Sequence, residues 1–266
     1  MIHLYNKRKT KKPFFSIITV VKNDEKNILK TLNSVKKQTS KNFEYIIIDG
    51  DSNDKTLGIL KRNKIFNILI SEKDNGIYDA MNKGLKVSNG QVILFVNSGD
   101  IITKNALKIV HKIFVNNEDI SFLFGTVLRH YKTSSIIKYG YNFNRMIYNF
   151  DFATSHSTGF FLKKKIYKKI GLYNTKFKCS ADYDIYFRLF KMKLKGAYTE
   201  KKDLIGKVAA GGFSSKLSFF DHLMEETKIR INNKQNILLI LLIIINACLK
   251  NLLKLIKNFI IAKGLF

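Results

Sequence analysis

Cys179 and Cys248 are the only thiols in 266 residues, and proline occurs once. Two cysteines so far apart support neither a disulfide framework nor a cysteine-based zinc site, so a packed core must hold the fold and a reducing compartment is expected. Acidic residues are scarce as well: 20 Asp and Glu stand against 47 Lys and Arg, a formal net charge of +27. Such a surface attracts polyanions, whether nucleic acid, anionic lipid headgroups or a phosphorylated substrate. The lysines are spread along the chain, and zinc-finger, helix-turn-helix and RNA-recognition patterns are missing, so no nucleic-acid partner is expected. A Lys-, Ile- and Asn-rich genome composition produces the same charge with no partner at all. The basic cluster MIHLYNKRKTKKP (1–13) is followed by no apolar stretch of secretory length, so it is read as a basic N-terminal arm and no signal peptide is expected. Long linkers and tandem repeats are missing too.

What is present is a 45% hydrophobic chain, long enough to bury one large core. FFSIITVV (14–21) is a continuous β-branched and aromatic run, suited to a strand covered on both faces. Ile28, Leu29, Leu32 and Val35 then recur at helical spacing, with Asn23 or Asp24 as the expected N-cap. FEYIIID (43–49), FNILIS (66–71) and QVILFVN (91–97) continue as strands, with a short helix after GDSNDKT and another over 76–88 between them. Strand and helix in alternation predict an α/β fold, a doubly wound and mostly parallel sheet with helices on both faces. From 101 to 150 the pattern weakens to a helix over NALKIVHKIF, strands near FLFGTVL and SSIIKYG, and an aromatic loop. A strand and two helices are expected over 153–199.

Ligands of open α/β sheets sit beyond the carboxyl ends of the strands. The polar clusters of this chain lie at those ends: Asn23 and Asp24, Asp49 to Asp54, and Asn97 to Asp100. Asp100 follows the apolar run LFV into a turn, where a lone carboxylate either caps the next helix or holds a cation. Asp49, Asp51 and Ser52 fit an Asx-turn as well as a ligand. In DNGIYDAMNKG, Asp79, Asn82 and Lys83 share one helical face, which presents either to the crevice or to solvent.

SIITVVKNDEKNILKTLNSVKKQT, EYIIIDGDSNDKT, EKDNGIYDAMNKGLKVSNGQVILFVNSGD and the later SADYD resemble, in sequence and order, family 2 of the glycosyltransferases with the GT-A fold, and among them the bacterial enzymes that build lipopolysaccharide, capsule or exopolysaccharide. The likeness is dense over 14–100, thin over 153–215 and absent from the end of the chain. It implies a nucleotide-sugar-binding half over 14–100 and an acceptor-binding half over 101–220. The implied reaction is an inverting transfer from a nucleotide-diphospho-sugar, of the UDP-sugar type, to a glycan or lipid-linked acceptor, with Mn2+ or Mg2+ as cofactor. The family's Asp-x-Asp motif falls on Asn97-Ser98-Gly99-Asp100, which leaves metal binding to Asp100 and a neutral oxygen at Asn97. The resemblance puts Asp49 against the base with Asp51 and Ser52 beside it, the backbone of Thr19 and Val21 along the base, and Asn23 and Glu25 next to the nucleotide. It puts Asp79 and Lys83 near the phosphates, with Met81 where relatives carry arginine. The family's Glu-Asp-x-Asp falls on Ala181 to Asp184, making Asp182 the base and Asp184 a first-turn acid on the acceptor side. His156, Gly211-Gly212 and Ser214-Ser215 match weaker acceptor-edge positions.

The end of the chain differs in kind. ILLILLIIINACLKNLLKLIKNFIIAKGLF opens with nine consecutive aliphatic residues, Ile237 to Ile245, and sets Lys250, Lys254 and Lys257 along one helical face, with Lys263 beyond. The aliphatic block is shorter than the roughly 20 residues a bilayer-crossing helix needs, and a basic-faced amphipathic helix suits the headgroup region. The expectation is therefore a helical tail over 221–266 on an anionic membrane surface, with the enzyme peripheral at the cytoplasmic face of the cell membrane. A core or dimer helix is the other reading of the same residues. Two further function classes stand beside the transferase. A nucleotidyltransferase shares the α/β architecture but opens on a glycine-rich phosphate loop, and TVVKNDEKN contains no glycine. A non-enzymatic basic surface-binding protein needs only the charge.

Overall fold

The computed structural model of the chain describes residues 2–5, 12–131, 133–148, 156–212 and 217–262. Its elements run β1 (Ile2–Tyr5), β2 (Phe15–Val21), α1 (Ile28–Lys36), β3 (Phe43–Asp49), α2 (Thr56–Asn63), β4 (Ile68–Ser71), α3 (Ile77–Val87), β5 (Val92–Phe95) and β6 (Ile101–Ile102). There follow α4 (Ala106–Asn116), β7 (Phe122–Phe124), β8 (Thr126–His130), β9 (Ser135–Lys138), α5 (Phe143–Tyr148) and, after a 3-10 turn at Ser157–Gly159, β10 (Phe160–Lys163). The chain continues through α6 (Lys164–Ile170), α7 (Ala181–Lys191), β11 (Gly196–Tyr198), β12 (Leu204–Val208), α8 (Phe219–Asn232) and α9 (Ile237–Ala262).

Eight strands form one sheet in the order β1-β4-β3-β2-β5-β10-β7-β11. The pairs β4-β3, β3-β2, β2-β5 and β7-β11 are parallel, while β1 and β10 run antiparallel to their neighbours. Because side chains alternate along a strand, β2 sends Ile18 and Val20 into one core and Ile17 and Val21 into another. The first core is covered by α3, α6 and α7, the second by α1, α2 and α4, so both faces of the sheet carry helices as the continuous apolar strands require. A second sheet, β6-β12-β8-β9, stands beside the first and was not foreseen from periodicity.

Three local expectations are corrected. The N-cap position of the first helix is Asn27, which makes no side-chain cap bond, instead of Asn23 or Asp24, because residues 24–27 form a turn first. The basic arm holds a strand, β1, that pairs with β4 along the sheet edge; residues 6–11 lie outside those described. The tail expected from 221 begins inside α8, and α8 belongs to the globular body: Ile229 and Arg230 are fully buried, and Arg230 donates to the carbonyls of Met146 and Ile147. In α9, Ile240 and Ile243 are buried, whereas Leu238, Leu241, Leu242, Ile245, Leu249, Leu252 and Leu253 are exposed. The window Ile237–Ile256 spans 20 residues and is long and apolar enough to cross a membrane, so the aliphatic run understated its length.

Candidate functional site

The carboxyl ends of β2 and β5, the start of α3, the 3-10 turn and the first turns of α7 and α8 enclose a cavity of about 920 Å³. Its lining includes Val21, Asn23, Asp24, Asn27, Asp74, Met81, Asn97, Asp100, His156, Asp182, His222 and Glu226, together with Arg129 and Lys138 from the second sheet and Tyr131 just beyond β8.

Asp100 stands where β5 empties into a turn that Gly99 makes possible at φ +92°. Its carboxylate is 4% exposed and accepts from the Thr158 hydroxyl at 2.6 Å and the Ala209 N–H at 2.9 Å. The His156 Nδ1 is 3.5 Å away. Asp100 caps nothing; α4 starts on Asn105, whose side chain makes no cap bond. Asn97 donates to Ser157 Oγ at 3.1 Å, while its Oδ1 is buried and, among the described residues, lacks a hydrogen-bond partner. Burial pushes the His156 imidazole below its usual range and outweighs the opposing attraction of Asp100, so the ring is neutral near pH 7. Its Nδ1 accepts from the Thr158 N–H at 3.3 Å.

No group of three or more His, Cys, Asp or Glu side chains among the described residues forms a metal cluster. The set that is present, one carboxylate with spare lone pairs, one orphaned amide oxygen and a neutral imidazole, suits a hard cation whose shell is completed by phosphate and water. Among the described residues, Asp100 with Asn97 is thus a donor set that fits Mn2+ or Mg2+.

Asp182, also in the cavity lining, lies in the first turn of α7. Burial raises its carboxyl above the ordinary range, against the lowering effect of the Tyr183 N–H that reaches Oδ1 at 2.9 Å. Asp184 is oriented elsewhere: Arg188 donates to its Oδ2 from Nε at 3.1 Å and Nη2 at 2.8 Å. Asp184 does not line the cavity, so the expected acceptor-side role is replaced by a helix-internal ion pair.

Several donor-side expectations also change. Thr19 is buried, bonded to the Tyr45 hydroxyl at 2.9 Å and the Val96 carbonyl at 2.7 Å, and only its neighbours Val20 and Val21 reach the cavity. Asp49 is fully buried and accepts from Ser52 Oγ at 2.5 Å, Ser52 N–H at 3.2 Å and Ser71 Oγ at 2.7 Å. That is the Asx-turn reading, and neither Asp49, Asp51 nor Ser52 lines the cavity. Glu25 accepts from the Lys55 N–H at 2.9 Å and pins the loop after β3. Asn23, in the left-handed region at φ 50°, accepts from the Asn53 N–H and remains at the cavity wall. Lys83 pairs with Glu72 at 2.9 Å and Asp79 at 3.6 Å, and Asn82 bonds the Tyr173 backbone through both amide atoms, so this helix face serves packing. Asp74 takes the place at the wall that Asp79 was expected to hold. Gly211 and Gly212 reach the lining, while Ser214 and Ser215 lie outside the described residues.

Sequence reasoning missed Arg129, Lys138, His222 and Glu226, and it put Asp24 at the strand-end crevice without giving it a role. Asp24 binds the Ser98 hydroxyl at 2.6 Å and joins two strand ends; its place in NDE was the available signal. Glu226 has its carboxyl pushed up to about 8, chiefly by burial and against the pull of Arg230. The spacing of His222 and Glu226 at i and i+4 was legible, but nothing local assigned that face to a cavity.

The sheet with parallel strands at its centre, flanked by helices and with a strand-end acid and a raised carboxylate lining one cavity, is similar to the GT-A architecture of solved glycosyltransferases. The chain belongs to glycosyl transferase family 2, whose description matches residues 16–180. It is 28% identical over 188 residues to the PGL/p-HBAD biosynthesis glycosyltransferase of Mycobacterium tuberculosis, covering 67% of this chain and 70% of that one. Among solved structures it is similar to Staphylococcus aureus TarS 1-349 in complex with UDP-GlcNAc, at TM-score 0.63 and 22% identity, over 82% of this chain and 66% of that one. This chain covers 39% of the longer TarS chain. The mannosyltransferase PcManGT of Pyrobaculum calidifontis, in complex with GDP-Man and Mn2+, has TM-score 0.60 and 13% identity, over 82% of this chain and 65% of that one.

Proposed function

We propose that this glycosyltransferase moves a sugar from a UDP-sugar to a hydroxyl of a glycan or lipid-linked acceptor, with inversion at the anomeric carbon. The observation that carries the reading is the pair of carboxylates lining one cavity: Asp100, held by two hydrogen bonds, and Asp182, whose pKa is raised by burial. Two titratable groups in such unlike environments are suited to different tasks. Asp182 takes the proton of the acceptor hydroxyl while that oxygen forms its bond to the anomeric carbon. The bond from that carbon to the diphosphate breaks on the opposite side, and its electron pair leaves with the nucleoside diphosphate. Asp100 and Asn97 would hold a divalent cation, which when bound neutralises charge on the diphosphate. The UDP-GlcNAc bound by TarS supports a uridine donor, and the Mn2+ in PcManGT supports a divalent metal.

The exposed apolar stripe of α9, with Lys250 and Lys254 also exposed, supports residence on an anionic membrane surface at the cytoplasmic face, where a lipid-linked acceptor is concentrated. The test of the donor reading is a screen of nucleoside diphosphate release from UDP-, GDP- and dTDP-sugars with Mn2+, run on wild type and Asp182→Asn. Release confined to one or more UDP-sugars, and lost in the variant, is expected. Release from GDP- or dTDP-sugars alone would overturn the donor class, and unchanged release by the variant would overturn the base.

A further inference from the structure

The side chain of Asp182 has little to hold it. Among the described residues its carboxylate accepts from main-chain N–H groups, its own and that of Tyr183, so its position follows the backbone at the start of α7. Ser180, the N-cap residue of that helix, makes no side-chain cap bond. The backbone is gripped from a different element. Glu225, on α8, accepts from the Lys178 N–H through Oε1 at 2.5 Å, and through Oε2 from the Cys179 N–H at 2.9 Å and the Ser180 N–H at 3.0 Å. The Cys179 thiol reaches the same Oε2 at 3.2 Å. Three successive N–H groups converging on one anion form the concavity that ordinarily takes a phosphate or carboxylate from outside the chain.

We propose that Glu225 is a positioning residue for catalysis, clamping the turn that carries Asp182 at the distance proton transfer requires. The inference rests on Asp182 being the base. It assigns to α8, which lies outside the matched residues 16–180, a function beyond packing. The frame behind the clamp is firm. A capping box between Ser218 and Asp221 fixes the start of α8, and near its end Arg230 is bonded to the Met146 and Ile147 carbonyls. Burial alone would raise the Glu225 carboxyl, but the converging N–H donors hold it below its usual range, so the clamp is charged at neutral pH. His222 and Glu226, on the same helix, line the cavity, so Glu225 also couples the wall they form to the turn that bears the base.

The test compares wild type, E225Q, D182N, the double variant E225Q/D182N and S218A, each in the full chain. The readout is UDP release to water from UDP-N-acetylglucosamine, UDP-glucose or UDP-galactose, whichever turns over fastest. Displacing a reacting group by about 1 Å costs on the order of 10²-fold, so E225Q should lower kcat about tenfold or more with donor KM unchanged. In the D182N background the same substitution should change kcat less than about twofold, since a positioning residue has nothing left to position. S218A weakens α8 without touching the turn; it should lower Tm by about 2–4 °C and leave kcat intact. E225D, which keeps the charge but draws it back by one methylene, replaces E225Q in the comparison if that variant does not fold. The inference is overturned if Glu225 variants keep wild-type kcat while D182N loses it, if their loss is the same with and without Asp182, or if S218A loses as much kcat as they do. Wild-type kcat in D182N would remove the base assignment itself, a different failure.

Discussion

Asp182 and Asp184, two residues apart, are given opposite work by their surroundings. Asp182 faces the cavity with a carboxyl raised by burial, and Asp184 accepts two bonds from Arg188. Asp182→Asn should lower kcat by roughly 10² or more with donor affinity unchanged, measured by single-turnover kinetics and calorimetry. The proton that buried Asp182 holds stabilises the fold below the unfolded pKa, and this contribution is lost as pH rises through the raised folded value. Asn, permanently neutral, should therefore not reduce stability at pH 7.5. Asp184→Asn should do the reverse, costing about 2–3 kcal/mol in urea unfolding while the chemical step survives. Glu226 allows a sharper pH test, because its folded value is about 8 against an ordinary 4.5. Between those values the folded protein keeps a proton that the unfolded chain releases, so wild-type stability declines as pH rises through that window. Glu226→Gln removes the decline: the difference in Tm between variant and wild type should grow from pH 5 to pH 8, and equal Tm differences at both would refute the assignment.

At the scale of elements, the two C-terminal helices are divided by function. α8 is built into the body through Arg230 and Glu225, whereas α9 touches it through Ile240 and Ile243 and leaves Leu242 and Leu249 more than half exposed. Removing α9 entirely would uncover α8, so point substitution on the outer face is the cleaner probe. Leu242→Glu with Leu249→Glu should release the protein from vesicles containing anionic lipid, with Tm and UDP binding unchanged. Retained sedimentation with vesicles would refute the lipid-facing assignment. Extraction of the wild-type protein from membranes by alkaline carbonate is expected for an in-plane helix, and resistance would indicate that the 20-residue window Ile237–Ile256 crosses the bilayer.

For the molecule as a whole, the cavity assembles residues from β2, β5, α3, the second sheet, α7 and α8, and Asp100 is tied to the 3-10 turn through Thr158, to the segment after β12 through Ala209 and to α1 through the Thr31 hydroxyl on its own carbonyl. Asp100→Asn keeps the shape of that junction and removes its charge. Mn2+-dependent enhancement of UDP binding, followed by calorimetry, should weaken at least about tenfold in this variant, and enhancement equal to wild type would refute the cation site.

The repeating periods were legible in the chain because they are local. A fully apolar strand such as IITVV has to be covered on both faces, and Ile28, Leu32 and Val35 can meet a sheet only as a helix. Those periods were enough for the doubly wound sheet, and the strand-end acids for Asp100 beside the crevice, whereas Asp182 was singled out only by the resemblance to family 2. Local pattern cannot tell which way a side chain faces once it has a partner distant in sequence. Asp49 was expected to face the cavity and is instead consumed by Ser52 and Ser71, and Lys83 is held by Glu72. The second sheet joins strands β6, β8, β9 and β12 that are far apart or weakly patterned, so their pairing energy is absent from any short window. The same holds for α8. The sequence reading placed residues from 221 on in a helical tail, and only the folded chain brings Glu225 onto the three N–H groups before Asp182, because that contact joins residues more than forty positions apart and no local period encodes it.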